Sequence, residues 1–178
     1  MSRGYRIRWP QPVWHSASEK IESEDGISMD VGILEILPEA EMLALLREQL
    51  AAAGWTEAGD GAMRTTIAGV DVELSADGKT VTAKATAGRE VSVRTTNQGE
   101  LEGRLAQQGD KARRELSREV AAKVVGAEAE VREAVQSALQ RVYVDALKRK
   151  AAAMGEIESI HEGQGEGGEL ELTIKVKV

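Results

Sequence analysis

The sequence contains no cysteine and no phenylalanine, and it has only three prolines and two histidines among its 178 residues. Without cysteine there is no disulfide, no thiolate nucleophile and no Cys-ligated zinc or iron–sulfur site. The two histidines, His15 and His161, stand near opposite ends of the sequence. His15 has no His, Asp or Glu at helical spacing. His161 has Glu158, Glu162 and Glu166 close by, a set that could coordinate a cation but that reads better as a solvated acidic hairpin. Aromatic residues make up 3% of the chain, so a core must rest on Val, Ile, Leu, Ala and Met. No run approaches the roughly 18 apolar residues of a membrane span. The opening Met1-Ser2-Arg3-Gly4-Tyr5-Arg6 is followed by alternation and not by the apolar stretch of a signal peptide. The expected location is cytoplasmic, of bacterial type.

Catalytic motifs are missing in the same way. The sequence has no Gly-x-Ser-x-Gly elbow, no His-Glu-x-x-His helix and no Walker A loop. Gly163-Gln164-Gly165-Glu166-Gly167-Gly168 is glycine-rich, but no Lys and helix follow it to cradle a phosphate, and its glutamates repel anions. It reads as a hairpin loop. Carboxylates are plentiful, yet no spacing selects an acid–base pair, and surface solubility accounts for them. No catalytic residue, cofactor site or metal site is expected.

What is present is the composition of a folded domain: 42% hydrophobic and 30% charged residues, with a net charge of −7. That balance argues against general polyanion binding, which needs clustered Lys and Arg. Tyr5, Ile7 and Trp9 alternate with Arg6 and Arg8 as a short strand stopped by Pro10 and Pro12. Residues 15–25 are polar and read as a loop. Ile27, Met29, Val31 and Ile33 alternate as a second strand, with a bulge or strand end near residues 34–37. Pro38 suits a first helical position, Glu39 and Glu41 the first turn, and Met42, Leu43, Leu46, Leu50 and Ala53 form one face of a helix that Gly54 ends, with Trp55 packing back over it. Strands are predicted at 62–67, at Val70–Leu74 and, after the turn Ala76-Asp77-Gly78-Lys79, at Val81–Ala85. Gly88 breaks the pattern before another strand at Val91 and Val93, and Asn97-Gln98-Gly99 closes this antiparallel meander.

From about Asp110 to Met154 the pattern is helical. Leu116, Val120, Val124, Ala127, Val131, Val135, Ala138, Val142 and Ala146 recur in steps of four, four and three, an eleven-residue period that suits a nearly straight seam. Gly126 lies inside it, at a cost of about 1 kcal/mol against Ala, and marks a candidate kink. Its mixed charges read as a salt-bridged outer face. A helix this long exceeds what a small sheet can cover, which leaves a surplus apolar seam to pair with a partner helix or with itself across the axis of a homo-dimer. Gly155 ends it. Residues 156–161 and the faultless alternation Leu170, Leu172, Ile174, Val176, Val178 then form a hairpin. The expected fold is α+β: one antiparallel sheet in the order ββ-α-βββ-α-ββ, with two main helices, one long, packed on one face, in a single domain over 1–178. No internal repeat of solenoid length is visible.

One segment stands out for recognition. Arg6, Arg8, Trp9, Trp14 and His15 crowd together in an otherwise aromatic-poor chain. Trp and Arg dominate protein-contact hot spots, and the same residues can hold a single-stranded nucleic acid. The plainer alternative is that Trp9 and Trp14 cap the core while the arginines face water.

Leu45 through Trp55, a helix ending in Gly-Trp, and Gln140-Arg141-Val142-Tyr143 through Gly155 into the final hairpin resemble a small family known from a conserved reading frame of algal plastids and cyanobacteria (the ycf thirty-five type). The resemblance covers about residues 36–178; residues 1–35, the N-terminal strands and loop, find no match in it, and the aromatic-rich central strands of that family are missing here. It implies a non-enzymatic accessory protein encoded near FtsH-like AAA ATPases, including multi-component bacterial systems acting in conflict or stress, and it supplies no catalytic residues. The leading expectation is therefore an interaction subunit with a protein partner, an AAA ATPase or a co-encoded subunit. The alternatives are a domain with a carboxylate-lined pocket, binding a small ligand or acting as an enzyme, and a nucleic-acid-binding module using the N-terminal Arg/Trp segment.

Overall fold

A computed structural model describes residues 12–164 and 170–177 of the chain. The expected first strand around Tyr5–Trp9 lies outside the described residues, as does most of the glycine-rich stretch after Gln164. The described elements run β1 (His15–Asp30), α1 (Glu39–Ala52), β2 (Thr56–Glu57), β3 (Met63–Ile67), β4 (Val70–Leu74), β5 (Thr80–Thr95), α2 (Gln98–Met154), β6 (Glu156–Gln164) and β7 (Leu170–Lys177). The class is α+β, with one long and one short helix and an antiparallel five-stranded sheet in the order β1-β5-β4-β3-β2. β6 and β7 form a sheet of their own, in place of the single sheet expected. Only Gly155 separates β6 from α2, and Lys148 Nζ on the last turns of that helix meets Glu162 Oε1 at 2.7 Å, so the hairpin is tied to the helix end.

The chain divides into two compact units. The first takes in residues up to Glu24 and Thr86–Val120; the second takes in Asp25–Ala85 and Ala121–Val178. The second has the larger core. Met42, Leu45, Leu46 and Leu50 of α1 are buried, and so are Val70, Val72 and Leu74 of β4 and Val81, Ala83 and Ala85 of β5. Leu45 belongs to the buried face of α1, whereas Leu43 is half-buried and Ala53, expected on that face, is exposed. Pro38 is the N-cap of this helix and not its first helical residue, because its ψ of 143° is extended, while its carbonyl accepts the first helical bonds, from the amides of Glu41 and Met42. At the other end the amide of Trp55 donates to Leu50 O and that of Gly54 to Ala51 O, both at 3.0 Å, with Gly54 at φ +91°. This is a Schellman motif, and Trp55, 6% exposed, closes it over buried Leu50. The β3–β4 hairpin turns at Ala68 and Gly69, both at positive φ, as a two-residue primed turn requires.

The first unit shows why some elements escaped the sequence reading. Residues 15–25 belong to β1 and are not a loop. Their less exposed positions alternate as Ala17, Glu19, Ile21 and Ser23, and only Ile21 among them is fully buried and apolar. Glu19 Oε1 accepts from Arg113 Nη2 at 2.7 Å, and Ser23 bonds Ser117 at 3.4 Å, so α2 pairs polar groups that look like loop chemistry. Gly88 does not break β5: Val81, Ala83, Ala85, Ala87, Val91, Val93 and Thr95 keep a single phase across it. The Asn97-Gln98-Gly99 turn is the start of α2. Asn97 Oδ1 accepts the Gly99 amide at 3.1 Å while Asn97 Nδ2 donates to Glu100 at 2.8 Å, a variant of the capping box, so the helix begins twelve residues before Asp110. The helix then continues through Gly126, which is exposed.

Candidate functional site

The lead-in to β1 places two large apolar side chains in solvent: Val13 is 69% exposed and Trp14 52%. Trp14 is therefore no lid on the core; that part is played by Trp55. The guanidinium of Arg94, on an outward position of β5, lies 5.0 Å from the centre of the Trp14 ring. Such a cation–π contact is worth about 0.5–1 kcal/mol at an exposed site. It also gives the indole a contact before any partner arrives, which lowers the cost of ordering it on binding. His15 opens β1 half-buried. Arg6, Arg8 and Trp9 lie outside the described residues. Of the five residues expected to make contacts, the described structure leaves Trp14 exposed, sets His15 in the half-buried phase of β1, and adds Arg94, which the sequence reading missed. The available signal was the alternation of β5, which turns Arg94 outward between the buried Val93 and Thr95.

A cleft of about 380 Å³ in the second unit carries the carboxylates. Asp30, Glu35, Glu39 and Asp77 surround Lys79, above apolar Val31, Ile33, Met42 and Leu43. Lys79 Nζ pairs with Glu39 at 3.2 Å, and Glu39, Asp77 and Glu35 together raise the lysine above its ordinary value. Asp77 is held below the usual carboxylate range because it accepts the Ser75 hydroxyl at 2.5 Å and the Lys79 amide at 3.0 Å. A general acid at neutral pH needs the opposite shift, upward through burial. Asp77 is therefore no candidate for that role, and the acidic lining of the cleft is suited to attracting a cation.

Elsewhere the charged surface is paired with itself. Arg64 spans Asp60 and Glu73 at 2.8 and 2.7 Å. A trough of about 810 Å³ in the first unit is lined by Lys20, Glu22, Glu24, Arg89 and Glu90, among others; Lys20 pairs with Glu22, and Arg89 with Glu115 and Glu119. Among the described residues no three His, Asp or Glu side chains come together as a metal-ligand group, and the buried polar side chain is Thr95, whose hydroxyl accepts the Asn97 amide beside the α2 cap. Of the α2 seam, Leu116, Val120, Val124, Ala127, Val131, Ala138, Val142 and Ala146 are buried within the chain and Val135 is half-buried. No described helix is long and apolar enough to cross a membrane.

No curated protein and no solved structure matches the chain. One family does, over residues 1–178, including residues 1–35 for which the plastid-type resemblance had no counterpart. Its description ties it to a multi-component system containing FtsH. The chain belongs to the family FtsH ternary system domain X5.

Proposed function

We propose that this chain is a non-catalytic accessory subunit of an FtsH-linked assembly, and that it docks on a protein partner, the AAA ATPase or a co-encoded subunit, through the surface around Trp14. The observation that carries this reading is the exposed Val13–Trp14 pair with Arg94 stacked on the indole. A Trp pre-positioned by an Arg, with an apolar neighbour and a polar surround, has the makeup of an interface hot spot. The family membership supplies the class of partner, a component of the same system.

The test is reconstitution of the full chain with the other components of its system, followed by size-exclusion chromatography with light scattering. Co-elution with one of them is expected, weakened roughly tenfold or more by Trp14→Ala, in line with the loss of one hot-spot residue. A chain that binds none of them overturns the reading. Salt-sensitive capture of single-stranded nucleic acid that disappears in Arg94→Ala would replace the protein partner with a polyanion.

A second reading is favoured by the acidic cleft over Met42 and Leu43: a site for a small organic cation with an aliphatic body. Thermal stabilisation by simple alkylamines that is lost in Glu39→Gln would support it, and no shift at millimolar amine would end it.

A further inference from the structure

The C-terminal hairpin has two outer edges, and they differ. β6 carries Glu156, Glu158 and Glu162, and its pairing with β7 is irregular between Ile157 and Ser159, so Glu158 sits in a bulge. Bulges and charges are how a strand edge is kept from pairing with another chain. β7 carries charges of both signs, Glu171 with Lys175 and Lys177, has no bulge over Leu170–Lys177, and among the described residues its outer edge has no neighbour. A two-stranded hairpin by itself is only marginally stable in water, and further strands relieve that.

We infer that the outer edge of β7 pairs antiparallel with β7 of a second copy of this chain, making a four-stranded sheet β6-β7-β7-β6 about a two-fold axis at Ile174. The sequence of β7 is self-complementary in this register. Glu171 falls opposite Lys177 of the second copy, Thr173 opposite Lys175, Leu172 opposite Val176, and Ile174 opposite itself. Each Glu–Lys pair occurs twice, and residues directly opposite share a face, so the half-buried Leu172, Ile174 and Val176 continue as one apolar strip while the exposed charged positions form another. A slip of one residue sets Glu171 against Val176 and Leu172 against Lys175, mixing the two strips. The equivalent pairing of β6 with itself, centred on Ser159, sets Glu156 against Glu162 twice. Pairing β7 with β6 of the next copy would use the bulged edge and run on without closing, whereas the two-fold arrangement closes as a dimer.

The chain's lack of cysteine makes the test direct. Opposed Cα atoms in an antiparallel pair lie roughly 4.5–5.5 Å apart, inside disulfide range, while Thr173 and its own copy would be about 8 Å apart and outside it. Ile174→Cys in the full chain should cross-link to a dimer under mild oxidation, and Thr173→Cys should not. By light scattering, Glu171→Lys alone and Lys177→Glu alone should each raise the dimer dissociation constant roughly tenfold or more, since like charges then face each other twice. Mixed together, the two variants should form a heterodimer, because both opposed pairs are again of opposite sign; no effect on folding within one chain predicts that rescue. A chain that is monomeric at about 100 µM, a dimer in which Cys at position 174 does not cross-link, or a mixture that fails to pair would each overturn the inference.

Discussion

Three elements, β1, β5 and α2, contribute to both compact units, but the two units fill them differently. In the second unit the inward positions are Val, Leu, Met and Ala almost without exception, and α1 adds four buried side chains. In the first the core cluster is Ile21, Val91, Ala112 and Leu116, flanked by half-buried Ala87 and Leu105. Glu19, Ser23 and Arg89 of its strands bond instead to polar groups of α2. Exposed ion pairs of this kind contribute about 0–1 kcal/mol each, against about 1.5–3 kcal/mol for burying a Leu or Val. The same framework therefore yields one unit with a large apolar core and one with a small apolar core supplemented by surface polar pairing, and the exposed Trp14 is on the unit with the smaller core. Parts of a protein that take up partners are commonly drawn from its less stable end.

The largest expected effect separates the two cores. Leu46→Ala, at a site 1% exposed in the larger core, should lower stability by about 2–5 kcal/mol in chemical denaturation. Leu116→Ala removes the same atoms at a site 2% exposed. Its cluster is small, and Ala87 and Leu105 beside it are only half-buried, so the cavity can collapse or hydrate, and the cost should fall near the lower end of that range, about 2 kcal/mol. Hydrogen exchange locates each change: faster exchange after Leu116→Ala should be confined to residues 15–24 and 86–120. Equal losses spread over both units would mean that the two cores do not differ in what holds them.

Two glycines of α2 sharpen the comparison at smaller scale. Gly126 has open space around the position of a Cβ, and its φ is not positive. Gly126→Ala should stabilise the protein by about 0.5–1 kcal/mol in urea, because the cost of a helical glycine is removed with nothing displaced. A Cβ on Gly109, in the first unit, would stand 3.3 Å from Glu19 Oε2 and 3.6 Å from Ile21 Cδ1. Gly109→Ala should bring no gain, since Glu19 must shift while bound to Arg113. A gain equal to that of Gly126→Ala would show that the Glu19–Arg113 pair holds nothing in place.

The same contrast explains what could be read from the sequence. Where apolar periodicity forms the core the reading was close: α1 with its Gly54–Trp55 end, the strands at 63–67 and 70–74, and the eleven-residue seam of α2 all stand as expected. Where polar groups take inward positions it failed. Residues 15–25 of β1 looked like a loop because Glu19 and Ser23 carry no apolar signal, and their partners Arg113 and Ser117 are some 94 residues away. The first turns of α2 looked like a turn because Gly99, Gly103 and Gly109 dilute Leu101 and Leu105, although Asn97 with Glu100 three residues on was a usable start signal. At the candidate site Trp14 was legible by its rarity. Arg94 was not, since its contact depends on the pairing of two strands that lie far apart in the chain.

The smallest effect tests whether the polar pairing of the first unit is as yielding as it looks. Glu22 in that unit and Asp77 in the second are both exposed, and both are held below their ordinary pKa. For Glu22 the cause is Lys20: a side-chain hydrogen bond first, then charge attraction. For Asp77 it is the Ser75 hydroxyl, then the Lys79 backbone amide. A carboxyl whose pKa is lower in the folded state stabilises the fold above its unfolded pKa, and that contribution fades as pH falls through the folded value. Both contributions should therefore be intact at neutral pH and lost in acid. Salt separates them. A flexible, exposed lysine is screened within a Debye length of about 3 Å at 1 M ionic strength, whereas a hydroxyl and an amide fixed in a tight turn are not. Carboxyl titration by NMR should show Glu22 returning to its ordinary value in high salt while Asp77 stays depressed. If both return together, the turn at Ser75–Lys79 is held by the Lys79 charge and not by its hydrogen bonds, and the second unit is no better ordered at its surface than the first.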